Sequence, residues 1–218
     1  MRTGVAWITG ASSGIGREFA RQLAGQGWRL VLIARRADRL NALATELPAQ
    51  HGAQPEVIAA DLLAPADLER VAERIAAAPP ELLVNNAGFG TAGALAQLDA
   101  ARELDQVRIL VLAVVRLTRA ALPGMLARGS GAIVNVSSLA GEAPGPYNAT
   151  YSASKAFVTS FSEAVFEETR GSGVRVMALL PGFTTTEFQE VAGVSLDAIP
   201  PAARLSAEFV VREALRDL

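Results

Sequence analysis

The sequence predicts a doubly wound parallel α/β sheet, and three observations carry that expectation. Short apolar runs alternate with helical periodicity along the chain. The strand runs, such as Leu30-Val31-Leu32-Ile33-Ala34, are apolar throughout, the signature of a strand covered by helices on both faces. A glycine-rich turn joins the first strand to the first helix. Strand–helix alternation of this kind closes through right-handed crossovers. Strands are expected at 4–8, 29–34, 55–60, 81–85, 131–137 and 174–180. Helices are expected at about 14–26, 37–48, 66–78, 100–128, 151–171 and 206–217. No linker or strong repeat interrupts the pattern, so residues 1–218 are expected to form one domain.

Composition narrows the function classes. Half of the residues are hydrophobic and 19% are charged, which excludes a disordered chain. A net charge of −2 offers no broad basic surface for nucleic acid. Without cysteine there is no disulfide, thiol nucleophile or thiolate metal site. The single histidine, His51, sits in a polar turn-like segment with no second histidine to complete a metal site. The longest apolar run, Ile109 to Val115, falls far short of the ~20 residues that span a bilayer. No export signal is visible, so a cytoplasmic protein without a membrane partner is expected.

The first turn reads Thr9-Gly10-Ala11-Ser12-Ser13-Gly14-Ile15-Gly16. Glycines there let the backbone turn tightly and approach a pyrophosphate at the helix N-terminus. Gly10, Ser12, Ser13, Gly14, Ile15 and Gly16 are therefore candidate cofactor contacts; the competing reading is a glycine-rich packing turn. The second strand ends at Ala34-Arg35-Arg36. At that place an acidic residue binds the adenosine ribose hydroxyls, whereas arginine accommodates a 2′-phosphate. Ala34 leaves no acid, and Arg35 supplies a planar, permanently charged fork with Arg36 beside it. NADP(H) is expected over NAD(H), unless both arginines are ordinary surface residues.

Two further strand ends face the same crevice. Asp61-Leu62 ends the third strand, where Asp61 could accept from an adenine amino group or only cap the next helix. Asn85-Asn86-Ala87-Gly88 ends the fourth, where Asn86 could line the cofactor, stabilise the central strand or only close a turn. The fifth strand runs into Ser137-Ser138, and 141–148 reads as a loop bordering a pocket. The sixth ends at Leu180-Pro181-Gly182-Phe183, after which a covering loop is expected to about Leu205.

Tyr151 and Lys155 stand four residues apart, one turn along a helix, and Lys155 is the only lysine. An ammonium beside a phenol favours the phenolate, so the pair is expected to lower the tyrosine pKa and form a general acid or base. The plain alternative is a helix that happens to carry an aromatic residue and a solvated amine.

Thr9 to Gly16, Asn85 to Gly88, Ser138, Tyr151 with Lys155, and Pro181-Gly182 stand in order over nearly the whole chain. In this the sequence resembles the short-chain dehydrogenase/reductase family, whose fold is a Rossmann-type sheet. The resemblance implies that Tyr151 is the general acid in carbonyl reduction or the base in alcohol oxidation. It implies that Ser138 polarises the substrate oxygen and that Lys155 binds the nicotinamide ribose. Pro181, Gly182 and Thr186 would contact the nicotinamide amide. The implied partner is a small carbonyl or alcohol substrate.

Two departures stand out. The family's asparagine of the long fourth helix falls at Leu110, which cannot help hold the water of a proton relay. The chain also stops at Leu218, where the family continues into a seventh strand. A homodimer or homotetramer is therefore expected through the helices at 100–128 and 151–171. A non-enzymatic NADP(H)-binding sensor or scaffold, and an isomerase or dehydratase without net redox change, remain as other readings. Phe89, Leu95, Ala143, Pro144, Tyr147, Phe183, Phe188 and Val191 line an apolar pocket or serve packing alone.

Overall fold

The computed structural model describes residues 4–48, 54–195 and 199–218. Six strands, β1 Val5–Thr9, β2 Arg29–Ala34, β3 Glu56–Ala59, β4 Leu82–Asn85, β5 Gly131–Val136 and β6 Val174–Leu179, pair in parallel. Their order is β3-β2-β1-β4-β5-β6. The intervening helices are α1 Gly14–Gly25, α2 Ala37–Glu46, α3 Pro65–Ala77, α4 Ala100–Val107, α5 Ala113–Arg128 and α6 Ala149–Glu168. Two more, α7 Phe188–Ala192 and α8 Ala207–Asp217, follow β6. Strand and helix positions match the sequence expectation to within three residues.

Successive strand residues serve two separate cores. Trp7, Val31, Ile33, Ile58, Leu83 and Ile133 join the layer of α3 and α5. Ala6, Ile8, Leu30, Leu32, Leu82 and Val84 join the layer of α1, α2 and α8. Side chains alternate across a strand, so a sheet covered on both faces requires apolar residues at every position.

Two elements differ from expectation. The 100–128 helix is not uniform: α4 passes through a π-helical turn, Arg108–Leu112, into α5. An 18-residue stretch within Ala100–Arg128 has a mean hydropathy of 1.8, and the helix has the length and composition to cross a membrane. Leu110, Ala113, Leu117 and Ala121 nevertheless lie buried in the core, and in this fold it is a core helix. The segment after β6 is not a plain covering loop, because β7 Thr184–Thr185 pairs in parallel with β8 Leu205–Ser206 and α7 lies between them. Elements of two and five residues are too short to show a period. The reading of His51 lies outside the described residues.

Candidate active site

The sheet reverses its order between β1 and β4, and the carboxyl ends of such strands open a crevice. A cavity of about 430 Å³ lies there, and every sequence-predicted site residue except Gly16 lines it. Gly16 is instead buried beneath the turn, where a Cβ would lie 2.5 Å from the Gly10 carbonyl oxygen. It serves close packing of α1 against the turn and does not line the cavity. Gly10 and Gly14 have φ of 65° and 54°, the left-handed region that a side chain disfavours.

Asn86 ties the fourth strand end to the glycine turn. Its Nδ2 donates to the carbonyl oxygens of Thr9 and Gly10 at 3.0 and 3.2 Å. Thr9 Oγ1 in turn accepts from the backbone N–H groups of Asn86 and Ala87 at 2.9 and 3.0 Å. Asp61 spends one oxygen on its own turn, accepting from the Leu63 N–H at 3.1 Å. The cap of α3 is Ala64, so Asp61 does not cap that helix.

At the end of β2 the two arginines divide the work. Arg35 is exposed at the cavity edge. Arg36 reaches Ser12 Oγ through Nε and Nη2 at 3.3 and 3.1 Å, and Ser13 Oγ through Nη2 at 3.0 Å. Arg36 and Arg39 also converge on Glu187 at the start of α7. Arg39 and Glu187 escaped the sequence reading. Arg39 stands three residues beyond Arg36, on the same helical face, and that spacing was the available signal.

The other wall is set by polar packing between β5 and α6. Asn135 Nδ2 donates to Ser162 Oγ at 2.9 Å, and Ser137 Oγ donates to the Lys155 carbonyl oxygen at 2.7 Å. Asn85 Nδ2 extends this chain to Asn135 Oδ1 and Thr118 Oγ1. These bonds seat α6 on the sheet and so place Tyr151 and Lys155 over the crevice. Lys155 is only 6% exposed, and Nζ donates to the Val136 carbonyl oxygen at 2.6 Å. Burial lowers its pKa from 10.5 to about 8.

Tyr151 and Ser138 line the same cavity, and the Tyr151 ring packs on Phe188 with centroids 5.4 Å apart. Burial raises its pKa above the usual 10, against the opposing hydrogen bond from Ser138. The sequence spacing predicted the opposite direction. The lysine Nζ stands 5.7 Å from the tyrosine ring centroid and is itself desolvated, so burial dominates. Leu110, in the π-helical turn, is buried and presses so close to Gly88 that a Cβ there would lie 2.5 Å from Leu110 Cδ2. Of the apolar candidates, Phe89, Phe183, Phe188 and Val191 line the cavity; Leu95, Ala143, Pro144 and Tyr147 do not.

The donor set fits a phosphorylated dinucleotide: open glycine backbone at a helix start, two serine hydroxyls and an arginine fork at the β2 end. Fold and site together are those of a dinucleotide-binding α/β oxidoreductase. The family model for short chain dehydrogenase matches residues 4–194, and the chain belongs to the short-chain dehydrogenase/reductase family of enzymes. It is 35% identical over 201 residues to the very-long-chain 3-oxoacyl-CoA reductase of Homo sapiens, covering 90% of this chain and 64% of that protein. It is 42% identical over 193 residues to the sulfoacetaldehyde reductase of Chromohalobacter salexigens, covering 85% and 74%. The chain thus spans about two thirds of the length of several curated reductases that it matches. A short-chain dehydrogenase from Sphingobium yanoikuyae in complex with NADPH superposes with a TM-score of 0.92 and 38% identity. That match covers 97% of this chain and 82% of the other.

Proposed function

We propose that this chain is a single-domain NADP(H)-dependent reductase of carbonyl compounds, or dehydrogenase of secondary alcohols, acting in the cytoplasm. The observation that carries the reading is Tyr151, Ser138 and buried Lys155 on one cavity shared with the glycine turn and Arg36. The NADPH bound by the Sphingobium relative supports the cofactor, and the reductases among the relatives support the direction. Bound NADPH supplies a hydride to the substrate carbon.

The protein's own residues handle the oxygen. Ser138 holds the carbonyl oxygen through its hydroxyl, and Tyr151 gives up its phenolic proton to that oxygen as negative charge develops. A raised tyrosine pKa keeps that proton in place at neutral pH, which suits reduction. Lys155 stands behind Tyr151 and, when protonated, stabilises the phenolate left by the transfer. Asn86, Thr9 and the glycine turn orient the nucleotide, and Pro181, Gly182 and Thr186 border the nicotinamide end. Phe183, Phe188 and Val191 supply apolar surface that excludes water from the reacting centre.

Tyr151→Phe tests the assignment. The variant should bind NADPH as the wild type does, by nicotinamide fluorescence, and lose at least 100-fold in turnover on a carbonyl panel. Full turnover in the variant would remove Tyr151 from the chemistry. A wild type that binds NADPH but reduces nothing would favour the sensor reading, which buried Leu110 at the relay position supports.

A further inference from the structure

The segment after β6 closes over the cofactor side of the cavity through an ion-pair cluster that the chemistry above does not use. Glu187 Oε2 lies 3.1 Å from Arg36 Nη1, and Arg39 Nη1 reaches both carboxylate oxygens at 2.5 and 2.7 Å. The same Arg36 guanidinium bonds the hydroxyls of Ser12 and Ser13. Arg36 therefore bridges the glycine turn and the β2 end, where the adenosine ribose of a dinucleotide lies. A further donor, on Nη1, is already taken by a carboxylate. Carboxylate and phosphate oxygens compete for the same guanidinium geometry. Burial of Glu187 tends to raise its pKa, but hydrogen bonds from Arg39 and Arg36 hold it below the usual carboxylate range. It is thus ionised at neutral pH.

We propose that Glu187 occupies, in the free protein, the place on Arg36 that the cofactor's 2′-phosphate takes, and so tethers the segment beginning at β7 until phosphate displaces it. The proposal rests on the NADP(H) reading above and adds a specificity-determining residue to it. Both partners of the Arg36–Glu187 pair have side chains 40% exposed, so the contact is weak enough to exchange. A cofactor without the 2′-phosphate brings no competing anion to Arg36 and leaves the tether in place. Glu187 thereby weakens binding of the phosphorylated cofactor and links its arrival to the segment that carries Phe188.

The test uses 2′,5′-ADP and 5′-AMP, which present the ribose with and without the 2′-phosphate and carry no nicotinamide. Isothermal titration should show Glu187→Gln binding 2′,5′-ADP about three- to tenfold more tightly than the wild type, with 5′-AMP unchanged. On the wild type, 2′,5′-ADP should speed amide hydrogen exchange across residues 187–194, and 5′-AMP should not. This second measurement needs no variant. Equal or weaker binding of 2′,5′-ADP by Glu187→Gln, or slower exchange with that ligand, overturns the proposal. A wild type that fails to prefer 2′,5′-ADP over 5′-AMP overturns the NADP(H) reading and the proposal with it. A wild type with that preference and an unresponsive variant overturns the role of Glu187 alone.

Discussion

Lys155 folds at an energetic disadvantage. Its pKa falls from 10.5 to about 8 on burial, so between those values the unfolded chain binds more protons than the folded one. Stability therefore rises with pH through that window, and below about 8 the folded protein carries the full penalty. Lys155→Met removes a penalty of up to ~3 kcal/mol, less what the orphaned Val136 carbonyl loses. The variant should melt several degrees above the wild type at pH 7, and that gain should shrink by pH 10. Thermal melts at the two pH values decide it, and a gain that does not change with pH would show that Lys155 is not desolvated. Keeping a lysine there despite the penalty is what a site that needs its charge requires. That Ser138, Tyr151 and Lys155 face one cavity was legible because their spacing is a motif. The direction of the tyrosine shift was not legible, because it depends on how much water the fold removes.

Among the elements, the helix from Ala100 to Arg128 shows best where a period informs and where it fails. Its apolar residues predicted a helix, yet the π-helical turn at Arg108–Leu112 depends on packing that no period records. Leu110 in that turn sits in the core beside Gly88, and the two shapes are matched. Leu110→Asn should lower the urea-unfolding stability by about 2 kcal/mol, because an amide then enters an apolar cluster. Faster turnover in the same variant would show that Leu110 limits a proton relay; unchanged turnover would show that the relay passes elsewhere. The short elements between Thr184 and Ser206 leave no period in the sequence for a related reason. Their order comes from side chains such as Gln189, whose Nε2 donates to the Thr184 carbonyl oxygen at 2.8 Å. A bond of that kind leaves no hydrophobic pattern behind.

For the whole molecule, the exposed apolar residues are unevenly spread. Leu104, Val107 and Leu112 on the long helix and Phe157 on α6 are exposed, and Phe157 stacks on Phe161 with centroids 5.9 Å apart. Surfaces of this kind support the proposed association through the helices at 100–128 and 151–171. The expected species in light scattering after size exclusion is a dimer or tetramer, and Phe157→Glu should shift it toward monomer. A wild type that runs as a monomer at micromolar concentration would end that proposal.

By itself, the sequence determined the unbroken apolar strands, and with them a sheet covered on both faces and a crevice at its reversal. It also pointed to the glycine turn and the strand ends that border that crevice, since their order is fixed in any chain that closes this way. Only the tertiary structure decided which arginine meets Ser12 and Ser13, that Gly16 packs beneath the turn, and that Glu187 comes back to Arg36 across 151 residues of chain. Those outcomes turn on desolvation and on ion-pair distance. Both are properties of atoms brought together by folding, and neither is written in the spacing of residues along the chain.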